Sequence, residues 1–527
     1  MTGRRKFGAL RFPQNYRTEP SEYAVHPILL TLVTYLPLLG GLAILLAKGA
    51  PETADRTGRW IALWTSLAVL ALSVVMWTGF DPQIPGAQYE TQLAWMPNFG
   101  ISYHTGVDGV SLVFVLLTAF LTPLSIGAGW RSVQGRACDF MAAVMFLETA
   151  LMGLFSALDL VVFYMFYEAT LIPASLMIGV WGGPKRIWAS LQFFLFTFGG
   201  SLFMLVALVA MWNMAGTTDI PALMQGHFSL SVQCWLLMAF VIAFGVKLPL
   251  FPLHAWLPDA YTEAPTPTTA LLSGVLSKTG AYGLLRFGVL MFPDAVHQFA
   301  PWILPLGVIA IIYAAFIAFA QKDMKKVIAY SSFSHMGMIA VGLFTLNAEG
   351  VDGAIYQMLS HGVVIAALFF CVAAIAWRAE TRDISALGGV AFRMPALASL
   401  AMLFTMANIG LPGTGSFVGE LLVLMGAIHV SFWLALLAGT TMIMGAVYML
   451  ALYRDVIFGS VKGTVSLLRD LTPAEMMVLV PLAVVTLWMG VHPASFTSLF
   501  DPVIVHALGA PNQEAMAHTA HQLVAAR

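Results

Sequence analysis

The chain reads as an all-α polytopic membrane protein of about 14 transmembrane helices, and three observations carry that reading. Of 527 residues, 59% are apolar and only 10% charged, with a mean hydropathy of +0.84. That balance lies outside soluble globular composition. Runs of about 20 apolar residues, the length that crosses a hydrocarbon core as a helix, recur from residue 27 to 498. Sixteen Lys and Arg residues fall in or beside the odd-numbered connections between these runs and none in the even-numbered ones. Basic residues gather in cytoplasmic loops, so Lys325 and Arg382 are expected to face the cytoplasm, His104 and His518 to face outward, and both termini to lie outside. A net charge of −1 with no basic cluster excludes nucleic acid as a partner. Cys138, Cys234 and Cys371 stand alone, without the spacing of a metal site or disulfide framework.

Taken in order, residues 1–26 are polar and basic (Arg4, Arg5, Lys6, Arg11, Arg17) with no small-residue cleavage site, and are expected to be an N-terminal extension. Spans at 27–47, 60–80 and 108–129 make a first group, 27–137. Its external loop, 81–107, holds YETQLAW and ISYHTG around MPNFG. Two β-prone stretches flanking a Pro/Asn/Gly turn signal predict a small external β-hairpin. Spans at 138–156, 158–180, 186–213, 230–251 and 266–290 form a unit 138–290, and those at 302–321, 325–346, 353–377, 395–428 and 430–458 a unit 302–458. A last span at 474–498 precedes a tail, 499–527.

Two spans cannot be continuous helices. In the seventh, Pro249, Pro252 and Pro258 follow Lys247, and each proline removes a backbone donor. In the twelfth, NIGLPGTGSFVGELL, Gly410, Pro412, Gly413 and Gly415 interrupt the run ahead of Glu420. Broken backbone at membrane depth is tolerated only where it is packed in protein or lines a wet cavity. The breaks are five spans apart, an odd number, so the second five-helix unit is expected to be an inverted repeat of the first.

Six ionisable residues lie well inside spans: Glu148, Glu168, Lys278, His335, His361 and Glu420, with Lys247 at the first break a seventh. A charge at the bilayer centre costs roughly 2.5–3.5 kcal/mol on insertion scales, so these groups are expected to line one interior path. The residue types suit proton exchange, because glutamate, histidine and buried lysine can all load and release a proton, which arginine cannot. His254 lies on the broken segment and Glu148 sits mid-span; both fit a satisfied structural group as readily as a relay member. Ser277-Lys278-Thr279 is no phosphate-binding loop, since no glycine precedes the lysine and no strand leads in.

The run GVKLPLFPLHAWLPDAYTEAPTPTTALLSGVLSKTGAYGLLRF, from Gly245, resembles the signature of the antiporter-like subunits of respiratory complex I and of multi-subunit cation/proton antiporters, and the resemblance extends over 108–459. It implies proton translocation driven by NADH:quinone oxidoreductase chemistry on other chains. Glu168 in VVFYMFYEATLIP, Lys247, Lys278 and Glu420 in GLPGTGSFVGE match the family's functional positions. His335 in AYSSFSHMG and His361 in MLSHGVV match polar positions on its central axis. In the complex I trio, two members carry lysine on the broken twelfth span and the third, M-type member carries glutamate, as this chain does at Glu420. The resemblance further implies L-type and N-type antiporter-like neighbours in a membrane arm embedded in lipid, and a multi-pass place in the bacterial inner membrane. No cofactor is expected on this chain, with FMN, iron–sulfur clusters and quinone on partner subunits. A subunit of a Na⁺/H⁺ antiporter, a subunit of a membrane-bound energy-conserving hydrogenase, and a non-conducting scaffold are the alternatives.

Overall fold

A computed structural model describes residues 27–47, 51–84, 86–463 and 465–508. The expectations for 1–26, for His518 and for the tail beyond 508 fall outside the described residues. The chain begins with α1 (Pro27–Leu46) and α2 (Pro51–Thr78), then a hairpin of β1 (Gln88–Met96) and β2 (Ile101–Val107), then α3 (Gly109–Ser132) and α4 (Ala137–Ser156). Next come α5 (Leu160–Trp181), α6 (Arg186–Ala215) and α7 (Leu230–Lys247). A short α8 (Trp256–Glu263) leads into α9 (266–289), in which α-helical turns alternate with wider π turns. The second half holds α10 (Pro293–Phe319), α11 (Met324–Phe344), α12 (Ala348–Ala379), α13 (Pro395–Ile409), α14 (Gly415–Val430), α15 (Phe432–Ile457) and α16 (Pro473–Val491).

Twelve helices among the described residues are long and apolar enough to cross a membrane by length and composition. The eighth and twelfth expected spans are the two that do not qualify, since π turns divide α9 and the glycine-rich break divides α13 from α14. The last span also ends earlier than residue 498. Pro493 disfavours helical backbone at the residue before it, His492 (φ −131°, ψ 66°), so α16 stops at Val491 and a further apolar helix, α17 (Ala494–Leu508), follows. The centre of the molecule is α11 and α12, which are almost wholly enclosed. Exposed Trp188, Trp235, Trp302 and Trp433 lie on the outer helices, as expected where the surrounding solvent is lipid or an apolar partner.

The two five-helix units announce themselves in backbone pairing. Asp159 bridges Asp219 and Asp323 bridges Asp383, and both members of the second pair stand 164 positions after their counterparts. The bonds repeat at the same offset: Leu160 N–H donates to Thr218 O at 2.8 Å and Ile220 N–H to Leu158 O at 2.8 Å, just as Met324 N–H donates to Arg382 O at 3.0 Å and Ile384 N–H to Lys322 O at 2.9 Å. Asp159 caps α5 by accepting from Val161 and Val162, and Asp323 caps α11 by accepting from Lys325 and Lys326. Five crossings separate the two bridges, so they sit at opposite ends of the bundle. The first lies against the hairpin, where Leu158 N–H donates to His104 O at 2.9 Å.

At each end a side chain that the sequence places in a loop is enclosed. Lys325 is buried, and its ammonium donates to Ala264 O at 2.6 Å and Thr262 O at 3.4 Å, joined there by Arg382, which donates to Thr262 O at 2.7 Å. The carbonyls left over at the end of α8 and just beyond it draw the cations inward. His104 is enclosed at the other end. Its ring is buried under the hairpin, with Nδ1 2.7 Å from Asp219 Oδ2 and Nε2 3.9 Å from Glu90.

His104 lies outside the spans, and although burial works against its charge, hydrogen bonds to Asp219 and Glu90 outweigh it and raise the imidazole to about 9. Because the folded value stands above the ordinary one, the stabilisation from the charged ring is complete below about pH 6.5 and is lost as pH rises through about 9. Protection of the amides in 88–107, taken relative to their intrinsic exchange rates, is therefore expected to fall over that window, and His104→Gln to flatten the dependence. Equal protection from neutral pH to pH 10 would refute this contribution of the charged His104 ring.

Candidate functional site

The sequence puts Lys247 at the last helical position of α7 because Pro249 and Pro252 cannot supply the next backbone donors. The helix end is then closed by side chains, with Trp256 Nε1 donating to Val246 O at 2.8 Å. The α9 backbone passes directly against this break. A Cβ at Gly280 would stand 2.5 Å from Leu248 N and 2.7 Å from Phe244 O, so only glycine allows the approach. Lys278, two residues earlier, is thereby held beside the helix that carries Lys247.

Lys247 is fully buried and its ammonium points into α5: it donates to Thr170 Oγ1 at 2.9 Å and to Tyr167 O at 3.4 Å, and lies 3.6 Å from the centre of the Tyr167 ring. Hydroxyl, carbonyl and ring face each accept part of the positive charge. Glu168 is half-buried, faces Ser201 and stands within electrostatic reach of Lys247, but no ion pair within 4.0 Å closes between them.

A second, contiguous row crosses the centre. The π turn 272–276 leaves the Ser273 carbonyl turned toward Lys278, which donates to it. Lys278 Nζ lies 2.8 Å from His361 Nδ1, the His361 and His335 rings are 5.3 Å apart, and His335 Nδ1 lies 3.1 Å from Glu420 Oε1. Gln357 bridges the last step, its amide donating to Glu420 Oε1 at 3.2 Å and lying 3.4 Å from His335 Nδ1. Glu420 arrives here because Gly410 (φ +86°) and Gly413 (φ +91°) turn the chain in the left-handed region, and because α14 can press onto α12: a Cβ at Gly353 would meet Val423 N at 2.5 Å. Beyond Glu420, Tyr448 and Asn408 both donate to Ser331 Oγ, at 3.1 and 2.9 Å.

All four ionisable members of this row are at most 2% exposed. His361 Nε2, His335 Nε2 and Glu420 Oε2 are buried without a protein hydrogen-bond partner. Buried polar atoms are rarely left unpaired, so these are the points a chain of waters would engage. Such a row can pass protons, each member being able to hold one and give it up.

Two expected members stand apart. Glu148 is buried between α4 and Thr122 of α3, with neither oxygen hydrogen-bonded to the row. His254 stacks on Phe333, with ring centres 4.3 Å apart, and sits edge-on to Tyr313 at 5.3 Å. The π-face contact is that of a packed aromatic residue. One interior path through all the buried groups was the expectation; the structure gives one connected row, a separate pair at Glu168 and Lys247, and two isolated groups. Sequence reading missed Thr170, Tyr167, Ser273 and Gln357. Gln357 carried a signal, since it lies one helical turn before His361 in an otherwise apolar run, whereas a backbone carbonyl such as Ser273 O carries none.

Fold and site together define a polytopic antiporter-like membrane subunit, two inverted five-helix units around a buried row of Lys, His and Glu. The chain belongs to the NADH:quinone oxidoreductase/Mrp antiporter transmembrane family, whose profile matches residues 157–445. It is 46% identical to NADH-quinone oxidoreductase subunit M of Rhodobacter capsulatus, over 91% of this chain and 96% of that protein. It is 44% identical to NADH-ubiquinone oxidoreductase chain 4 of Marchantia polymorpha, over 88% and 93%. Among solved structures it resembles a chain of respiratory complex I from Thermus thermophilus with bound NADH, with a TM-score of 0.83 and 32% identity over 91% of this chain and 99% of that one.

Proposed function

We propose that this chain is the proton-translocating, M-type membrane-arm subunit of NADH:quinone oxidoreductase, with the redox chemistry on other chains. The observation that carries the reading is the row of closely spaced proton-holding groups from Lys278 through His361 and His335 to Glu420, enclosed by α9, α11, α12 and α14. A scaffold would have no use for four buried ionisable groups, each expensive to hold at membrane depth.

In this reading Glu168 and Lys247 form the loading pair. Lys247 takes up a proton at the end of a broken helix, and the carboxylate favours the charged ammonium from a short distance. Lys278 and the two histidines carry the charge along the axis, and Glu420 is the outlet residue. Units 138–290 and 302–458 are the two repeats, each opening to one side. FMN, iron–sulfur clusters and quinone belong to partner subunits, and the neighbours are L-type and N-type antiporter-like chains in a bacterial inner membrane. Both termini face the periplasm in this orientation. Cysteines at exposed Leu93 and Lys322 should accordingly label from opposite sides; labelling from one side would overturn it.

The test is Glu168→Gln in the assembled complex, which keeps the shape and removes the charge. Proton pumping in inside-out vesicles is expected to fall severely while the complex remains intact on a native gel. Returning a carboxylate one helical turn away, as Tyr164→Glu with Glu168→Gln, should recover part of it, because residues four apart share a helix face. Normal pumping by Glu168→Gln would remove the loading pair from the mechanism.

A further inference from the structure

One polar string in the spans is not used by the row. Tyr282 follows Lys278 by four residues and shares its helix face. Its hydroxyl lies 2.9 Å from Ser111 Oγ and donates to Phe155 O at 3.3 Å. Arg286, four residues further on, donates to Ser111 Oγ at 3.1 Å and to Asp108, and its guanidinium lies 5.2 Å from the centre of the Tyr282 ring. Asp108 follows directly on β2 and caps α3 through Ser111 N–H at 2.9 Å. A line of carboxylate, guanidinium and hydroxyls therefore runs from the hairpin end of the bundle to Tyr282, which stands one helical turn along the chain from Lys278. Its outer end is wet enough to matter, with the Arg286 and Asp108 side chains 14% and 13% exposed.

Left open, that line would be a short circuit. A proton on Lys278 could reach the hairpin face directly, or one could return from it, without passing the histidines. Arginine prevents this for a physical reason: it keeps its charge at any relevant pH and accepts no proton. A fixed cation in a narrow polar passage repels protons, as channel selectivity sites show. Around it, Phe114 and Phe155 pack against the Tyr282 ring, with centres 5.8 and 5.2 Å away, and leave little room for water to pass beside the hydroxyl.

We propose that the Asp108–Arg286 ion pair is an electrostatic plug that closes the hairpin end of the passage at Lys278 and obliges protons to leave sideways through His361. The proposal rests on the reading that Lys278 carries protons. Arg286 is a positioning residue here: Asp108 and Ser111 hold its guanidinium over Tyr282, and it touches no transferred proton.

The experiment measures passive proton leak in vesicles containing the whole complex, without NADH, from the decay of an imposed pH gradient. Arg286→Gln is expected to leak severalfold faster than the parent, Arg286→Lys to stay tight as long as the paired Asp108 carboxylate holds its ammonium charged, and Arg286→Gln with Tyr282→Phe to lose the extra leak because the hydroxyl step is gone. Adding Lys278→Met to Arg286→Gln should also abolish it. Should Arg286→Gln fail to assemble, Asp108→Asn, which unties the guanidinium, is expected to leak in its place. An Arg286→Gln or Asp108→Asn complex as tight as the parent overturns the plug, as does a leak that survives both Tyr282→Phe and Lys278→Met, which would mark general loosening. Driven pumping by Lys278→Met alone is read separately: if normal, it is the proton row that fails, whatever the leak shows.

Discussion

Replacing Lys247 by arginine is expected to abolish proton pumping almost as completely as replacing it by alanine, although the charge is kept. Arginine cannot deprotonate at any relevant pH, so it can imitate a counter-charge but not a group that loads and releases a proton. The surroundings add a second obstacle. The ammonium fits between Thr170 Oγ1 at 2.9 Å and the Tyr167 ring at 3.6 Å, and a planar guanidinium has more donors than those partners can satisfy. Steric failure can be separated from the chemical one by asking whether Lys247→Arg assembles on a native gel and keeps NADH oxidation by artificial acceptors. If pumping, followed by dye quenching in inside-out vesicles, persists in Lys247→Arg, lysine has only a structural role at the break.

The second large effect is expected at His361, which among the described residues links Lys278 to the His335–Glu420 end of the row. Proton transfer by a positioned side chain is worth roughly 10²–10⁴-fold. His361→Phe keeps an aromatic ring of similar bulk but can hold no proton, and is expected to reduce the pumping rate by about two orders of magnitude or more on that basis. His361→Gln can still donate and accept hydrogen bonds through ordered water and should retain more activity than His361→Phe. Equal and near-parental pumping in both would show that protons pass from Lys278 to Glu420 by another way. The comparison also discriminates packing from conduction, because a merely structural histidine would tolerate the ring-preserving change better than the amide.

The two experiments probe parts that were legible to different degrees. Lys247, Lys278, His335, His361 and Glu420 stood out in the sequence because ionisable side chains in apolar runs are costly, and the structure buries every one of them. Glu148 and His254 stood out by the same rule and lie apart from the row. The rule detects a buried polar group, but it does not say whether neighbouring helices bring that group to the others. The membership of Gln357 was readable only as an odd polar residue near His361, and Lys325, read as a loop charge, is buried instead on the carbonyls of Thr262 and Ala264.

The sequence by itself determined what composition and local chemistry can decide. Helices had to be long and apolar to satisfy their backbone in lipid. They had to break where proline and glycine stand, after Lys247 and before Glu420, and to reverse between the two breaks because five crossings is odd. The hairpin at 88–107 followed from two β-prone stretches around a turn. Tertiary structure alone decided distances between helices. It set Lys278 against His361 but kept Glu168 out of ion-pair contact with Lys247, opened the π turn that frees the Ser273 carbonyl, and paired Arg286 with Asp108 across 178 positions of sequence. These depend on how closely two surfaces approach, as at Gly280 on the α7 break and Gly353 on α14. Such an approach is fixed by the packing of whole helices, which no local pattern of residues encodes.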